Sequence, residues 1–184
     1  VFGYKQSGEI SRVGLEHYNS ILKTAVSKKL NKPIELKEVD ISFFGKSLIP
    51  IYYVIGEAER FSFYTKINNA STLESIKGIE EELIDRFGGK PQETTNFLNL
   101  AKLRILFNKT FVISVHIKET SVSIVLDSEV ISDNFINRVL MYKNDNIKNR
   151  KFKESKEGFV VDLFFSLGFD WYENISNSIN LFKR

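Results

Sequence analysis

The sequence predicts an α+β fold: an N-terminal helical segment, then a compact domain of helices packed on a small antiparallel sheet. Three observations predict it. Apolar residues recur at three- and four-residue spacing through most of the first 107 positions. After Asn108 the period changes to two, and two alternating runs flank Glu119-Thr120-Ser121 in the manner of a hairpin. The last third then alternates between capped helical stretches and a further β-like run.

The elements follow in order. Gly3-Tyr4-Lys5-Gln6-Ser7-Gly8 is a glycine-punctuated loop, and residues 9–30 form a helix carrying Val13, Tyr18, Ile21, Leu22, Ala25 and Val26. Asn31-Lys32-Pro33 ends it. Residues 34–41 alternate as a strand, and residues 42–56 are irregular around Pro50. Residues 57–68 form a short helix with Phe61, Tyr64 and Ile67 on one face. Residues 71–87 are the clearest helix. Ser71 and Glu74 have capping-box spacing, Leu73, Ile76, Ile79, Leu83 and Phe87 make the apolar stripe, and Gly88 or Gly89 closes the end. Pro91 opens a helix to about Phe107 whose stripe includes Phe97, Leu100, Ala101 and Leu103. Phe111, Ile113, Val115 and Ile117, then Val122, Ile124 and Leu126, give the hairpin. Ser132-Asp133 caps a helix, residues 144–157 read as a polar, basic loop, residues 158–165 read as a strand, and Asp170 caps a last helix holding Trp171 and Ile175.

Composition narrows the function. The 184 residues hold no cysteine, which excludes disulfides, thiolate metal sites and thiol catalysis, and fits a reducing, cytoplasmic setting. No apolar run reaches the roughly 20 residues of a membrane helix. The chain begins at Val1 without an initiator Met or a signal-peptide pattern, as a fragment of a longer protein would. Net charge is +3 from 26 basic and 23 acidic side chains that intersperse, so charge gives little support for nucleic acid. There is no phosphate-binding glycine loop, no dinucleotide fingerprint, no zinc-protease pair and no nucleophile elbow. The only histidines, His17 and His116, lack nearby partners in sequence and read as surface or packed residues.

One cluster carries more. Glu81, Glu82 and Asp85 lie on the side of their helix away from Leu83, Phe87, Ile76 and Ile79, with Glu82 on the flank. They fit a solvated acidic face, docking onto an arginine-bearing surface, or acid/base or metal chemistry. The basic residues Lys143, Lys148, Arg150, Lys151, Lys153 and Lys156 fit a solvated loop or a phosphate contact, and Phe43, Phe44, Tyr52 and Tyr53 fit core packing or base stacking.

Glu82-Leu83-Ile84-Asp85-Arg86-Phe87-Gly88 followed by Pro91, and then Ala101-Lys102-Leu103-Arg104, stand in collinear order and resemble patterns of the C-terminal region of bacterial transcription-repair coupling factor, the Mfd family. Upstream, Ile49-Pro50-Ile51-Tyr52-Tyr53-Val54 and Arg60 to Tyr64 match in turn. Gly3 to Gly8, with Val13-Gly14-Leu15-Glu16-His17-Tyr18, resembles the end of the family's RecG-like translocase motor. The resemblance in residues runs to about 107; beyond it the agreement is in the arrangement of elements, and a frequent Leu-Gly is replaced by Lys109-Thr110.

The resemblance implies residues 1–32 as the motor tail and residues 33–184 as a regulatory domain. It implies a non-catalytic, autoinhibitory role without a cofactor of its own, in a parent that uses ATP and magnesium to move on double-stranded DNA, remove stalled RNA polymerase and recruit excision repair. The domain would dock on the parent's UvrB-like N-terminal module and mask its UvrA-binding surface, with Glu82 and Asp85, flanked by Glu81, pairing with arginines. Gln6 would be the remnant of the motif coupling ATP hydrolysis to translocation. The alternatives are a DNA-binding accessory module using 143–156, a carboxylate enzyme using Glu82 and Asp85, and a self-association module.

Overall fold

A computed structural model describes residues 39–108, 110–128 and 131–183. The expected helix over 9–30, the first part of the expected strand, Gln6 and His17 lie outside the described residues.

The strands are β1 (Asp40–Phe43), β2 (Val112–Ile117), β3 (Ser121–Leu126), β4 (Ile147–Ser155) and β5 (Gly158–Phe165). The helices are α1 (Glu57–Asn69), α2 (Leu73–Phe87), α3 (Gln92–Phe107), α4 (Asp133–Met141) and α5 (Trp171–Ser178), the last running into a 3-10 turn, Ile179–Phe182. The strands form one sheet in the order β1-β2-β3-β5-β4. All pairings are antiparallel except β1 with β2, which is parallel. The sheet is therefore mixed, not purely antiparallel as expected. The helices between β1 and β2 supply the long crossover that a parallel pair requires. The expected loop over 144–157 is the second correction. Phe152 opposes Val161 and Ile147 opposes Phe165, and their partial burial against the core draws a lysine-rich segment into an edge strand.

Two apolar clusters hold the domain together. The sheet cluster joins Val115, Ile117, Ile124, Val161 and Leu163 to Leu103 and Phe107 of α3, Phe135 of α4 and Ile175 of α5. The helical cluster joins Ile49 and Val54 to Phe63 and Ile67 of α1, Ile76 and Leu83 of α2, and Phe97, Leu98 and Ala101 of α3. Helix α3 belongs to both, which explains why its burial runs over more than one stripe. Phe61 departs from expectation: it is exposed, and Phe63 takes the buried place beside Tyr64 and Ile67.

The caps follow side-chain hydrogen bonding. Thr72, not Ser71, caps α2 by accepting from the Ser75 N–H at 3.1 Å. That leaves Glu74 inside the first turn, where the helix dipole favours an acid. Gly88 closes α2 at φ +81° and ψ −159°, outside the left-handed helical well and in a region essentially confined to glycine, which costs a residue with a Cβ on the order of 1–3 kcal/mol. Ser132 and Asp170 likewise cap α4 and α5 by accepting from Phe135 N–H and Glu173 N–H, whereas Pro91 stands at the α3 N-cap without a side-chain bond.

Candidate docking face on the second helix

Helix α2 is set by its buried side. Ile76 and Leu83 are fully buried, and Ile79 and Phe87 pack partly against the same cluster. The Tyr53 hydroxyl donates to the carbonyls of Leu83 at 3.1 Å and Gly88 at 2.9 Å, tying the C-terminal turn to the preceding loop. Phe87 meets Tyr53 and Phe63 edge-on, each with centroids 5.9 Å apart.

Two charge networks then fix the helix to its neighbours. The first runs across α1 and α2: Lys66 donates to Glu82 at 2.7 Å, Arg86 reaches Glu82 at 3.2 Å, and Arg86 also pairs with Glu59. The same cations cover aromatic faces. The Arg86 guanidinium lies 5.0 Å from the Phe87 ring centroid and Lys66 lies 5.1 Å from that of Phe63. The hydrogen bond from Lys66, aided by Arg86, holds the Glu82 carboxyl below its ordinary range against a smaller effect of burial. The second network centres on Glu80, which binds Lys102 of α3 at 2.8 Å and Lys90 of the α2–α3 turn. Burial pushes the Glu80 carboxyl up, but the hydrogen bonds and charges of Lys102 and Lys90 prevail and hold it low. Sequence reasoning passed over Glu80. Its signal was position, since it follows Ile79 on the inward edge of the stripe.

The three acids singled out in the sequence therefore stand in different settings. Glu82 is engaged within the domain, with about a third of its side chain exposed. Glu81 is exposed and reaches Lys77 only at 3.8 Å, one turn back. Asp85 is exposed, and no cation among the described residues lies within ion-pair distance of it. Ile84, 44% exposed, stands between them in sequence and points away from the core. The outward face of α2 thus presents Glu81, Ile84 and Asp85 to solvent, while Glu82 sits at the seam with α1. Among the described residues no group of three or more acidic or histidine side chains is placed to hold a metal ion. None of their helices is long and apolar enough to cross a membrane.

The other sequence candidates are placed as follows. His116 lies between the Ser42 hydroxyl, 2.8 Å from Nδ1, and the Ser114 hydroxyl, 3.2 Å from Nε2. Among the described residues no carboxylate is hydrogen-bonded to it, and through Ser42 it joins β2 to β1. Phe43 stacks toward Trp171 with centroids 4.8 Å apart and belongs to the core margin, as does Tyr53. Phe44 and Tyr52 are exposed. Arg150 turns inward, where Nη2 donates to the Tyr142 carbonyl at 2.6 Å.

Comparison with known proteins gives these features a setting. The TRCF domain pattern matches residues 45–136, half of the chain. A transcription-repair-coupling factor of Borreliella burgdorferi is 37% identical over 107 residues, covering 58% of this chain and 10% of the relative. Its counterpart from Buchnera aphidicola is 34% identical over 120 residues, covering 59% of this chain and 14% of the relative. The chain thus spans about a tenth of the length of these curated relatives. A crystal structure of the C-terminal domain of transcription-repair coupling factor superposes with a TM-score of 0.63 at 19% identity, covering 79% of this chain and 89% of that one. The shared fold extends past the end of the residue-level resemblance into the sheet-rich last third. With the matched family pattern spanning half of its length, the chain belongs to the transcription-repair coupling factor (TRCF) domain family.

Proposed function

We propose that this domain is a non-catalytic regulatory latch. It docks through the outward face of α2 on the UvrB-like N-terminal module of the same parent, masks the UvrA-binding surface and restrains the ATP-driven motor. That parent would move on double-stranded DNA, displace stalled RNA polymerase and bring in nucleotide excision repair. The single observation that carries the reading is Asp85: an exposed carboxylate without a cation partner among the described residues, beside Glu81 and the exposed Ile84 on a rigid, well-anchored helix.

The physical logic is that of specificity rather than strength. A carboxylate on a rigid helix accepts a guanidinium fork in one geometry, which fixes register. Exposed pairs are worth roughly 0–1 kcal/mol each. A contact within one chain gains effective concentration, so modest intrinsic affinity suffices for closure. Weakness is then useful, because a partner that prefers the open state can release the latch with its own differential affinity. Glu82 joins the interface by exchanging Lys66 or Arg86 for a partner's cation at the α1–α2 seam.

The test is calorimetric titration of this chain into the UvrB-like module of its parent, at two salt concentrations. Saturable binding that weakens with salt and falls several-fold to about tenfold in Asp85→Arg supports the latch. Unchanged affinity in Asp85→Arg, with intact circular dichroism, refutes it.

A further inference from the structure

The basic segment of 143–156 has no part in the docking face, and its place in the fold gives it a different meaning. Register puts Ser42, His116, Ser123, Asp162 and Lys151 in succession across all five strands. Directly paired residues share a face, so these five form one row. Beside it, Ser121, Phe164 and Asn149 form another, with Lys118 joined to Ser121 at the hairpin. Lys153, two residues from Lys151, stands on the same side. This is the face opposite the apolar cluster of the sheet: Val125 and Val160 lie on it, buried but in neither cluster, while Ser42, His116, Ser123 and Phe164 are half-buried and Asn149, Lys151 and Lys153 are exposed.

The chemistry of the face is specific. Its middle row is polar and ordered, with Ser42 and Ser114 on His116 and the Ser123 hydroxyl donating to Asp162 at 2.5 Å. Lys148, Lys151, Lys153 and Lys156 are exposed along β4 and its turn to β5, and Lys118 is exposed at the β2–β3 hairpin. Among the described residues only Lys153 of these five has a carboxylate within ion-pair distance, Asp162 at 3.0 Å. Lys148 spends its ammonium on the Asp145 carbonyl, and Lys151 lies 5.3 Å above the Phe164 ring. Glu154 opposes Phe159 and so points to the other face, and Glu157 sits in the β4–β5 turn. The β4 margin therefore carries three lysines, Lys148, Lys151 and Lys156, with no carboxylate of the described residues in ion-pair distance, next to an aromatic ring and a row of hydrogen-bonding groups.

We propose that this sheet face binds single-stranded nucleic acid. Phosphates run along the lysines of β4, one base stacks on Phe164 as Lys151 swings from the ring to a phosphate, and base edges meet the Ser42–His116–Ser123 row. The shape selects a single strand. Five strands span about 19 Å at their usual spacing, so the face cannot enter a major groove about 12 Å wide. Splayed bases, by contrast, lie flat on a sheet and stack on its aromatics. Lysines on an edge strand also discourage strand addition, which is the structural account of the same residues. That account predicts self-association when they are removed and no effect on oligonucleotides.

The experiment is fluorescence anisotropy of this chain with a labelled oligothymidylate and a duplex, each of about 20 nucleotides or base pairs, at about 50 and 200 mM salt. The expected result is tighter binding of the single strand. The combined Lys148→Ala, Lys151→Ala and Lys156→Ala variant then flattens the slope of log K against log salt by about 2, since each lost phosphate contact removes about 0.7. Phe164→Leu weakens binding about tenfold at both salts without changing the slope. Absence of saturable binding at the lower salt, equal or tighter binding of the duplex, or an unchanged slope in a lysine variant with native circular dichroism overturns the proposal. Because the surface shares no residue with the α2 face, its failure leaves the latch reading untouched.

Discussion

Charge reversal at Glu82 and at Asp85 separates the residue that holds the domain together from the residue that faces outward. The two lie three apart on one helix, and the sequence separates them only by setting Glu82 on the flank of the acidic face. In Glu82→Arg the carboxylate that Lys66 meets at 2.7 Å and Arg86 at 3.2 Å becomes a third cation between them. Two partly exposed ion pairs are lost, each worth roughly 0.2–1 kcal/mol, and like-charge repulsion of similar size is added. The sum is about 1–2 kcal/mol. For a chain of this size each kcal/mol moves the melting temperature by about 2–4 °C. Asp85→Arg breaks no ion pair among the described residues and stays within about 0.5 kcal/mol of the parent. The assay is thermal unfolding of both variants by far-UV circular dichroism at low and moderate salt, with the Glu82→Arg deficit shrinking as salt rises. Equal melting temperatures, or a larger loss in Asp85→Arg, would refute the assignment of Glu82 to the α1–α2 seam.

Other predictions follow from the same geometry. Glu80→Ala leaves Lys90 and Lys102 facing each other without their shared acceptor and costs about 1.5–3 kcal/mol, read by urea unfolding. The folded-state pKa values of Glu80, Glu82 and Asp162 are all depressed, so their contribution is present above the ordinary carboxylate range. It is lost as pH falls through the folded values, so stability measured by denaturant titration declines below about pH 4.3, and less steeply in Glu80→Ala. Gly88→Ala meets no steric neighbour but must hold φ at +81° with ψ at −159°, and lowers stability by about 1–3 kcal/mol in thermal melts. Gly158→Ala is worse than a strained turn: its Cβ would meet the Leu126 carbonyl oxygen, so the β3–β5 register shifts and the amide protection of both strands falls.

How far the sequence goes is visible in α2. Its apolar period gave the helix, Gly88 gave its end, and the acids were correctly placed off the apolar stripe, because those features are set within a few residues. The cap moved from Ser71 to Thr72 because two adjacent hydroxyls are equivalent in pattern and only the path of the chain chooses between them. The hairpin and the capped helices of the last third were legible for the same local reason.

Partnership across the chain was not legible. That Glu82 meets Lys66, sixteen residues earlier, and Glu80 meets Lys102, twenty-two later, depends on how α1 and α3 cross α2. Strand β4 looked like a loop because an edge strand beside β5 needs only Ile147 and Phe152 to reach the core, and its remaining lysines satisfy no pattern of burial. The parallel pairing of β1 with β2, which turns an expected antiparallel sheet into a mixed one, is decided by a crossover of three helices. The sequence by itself determined most of the elements, several of their ends and the family, since hydrophobic period and capping act over one or two turns. Tertiary structure alone decided which acid is spent inside the domain and which stays exposed, because ion pairs depend on distances that folding sets between residues far apart in the chain.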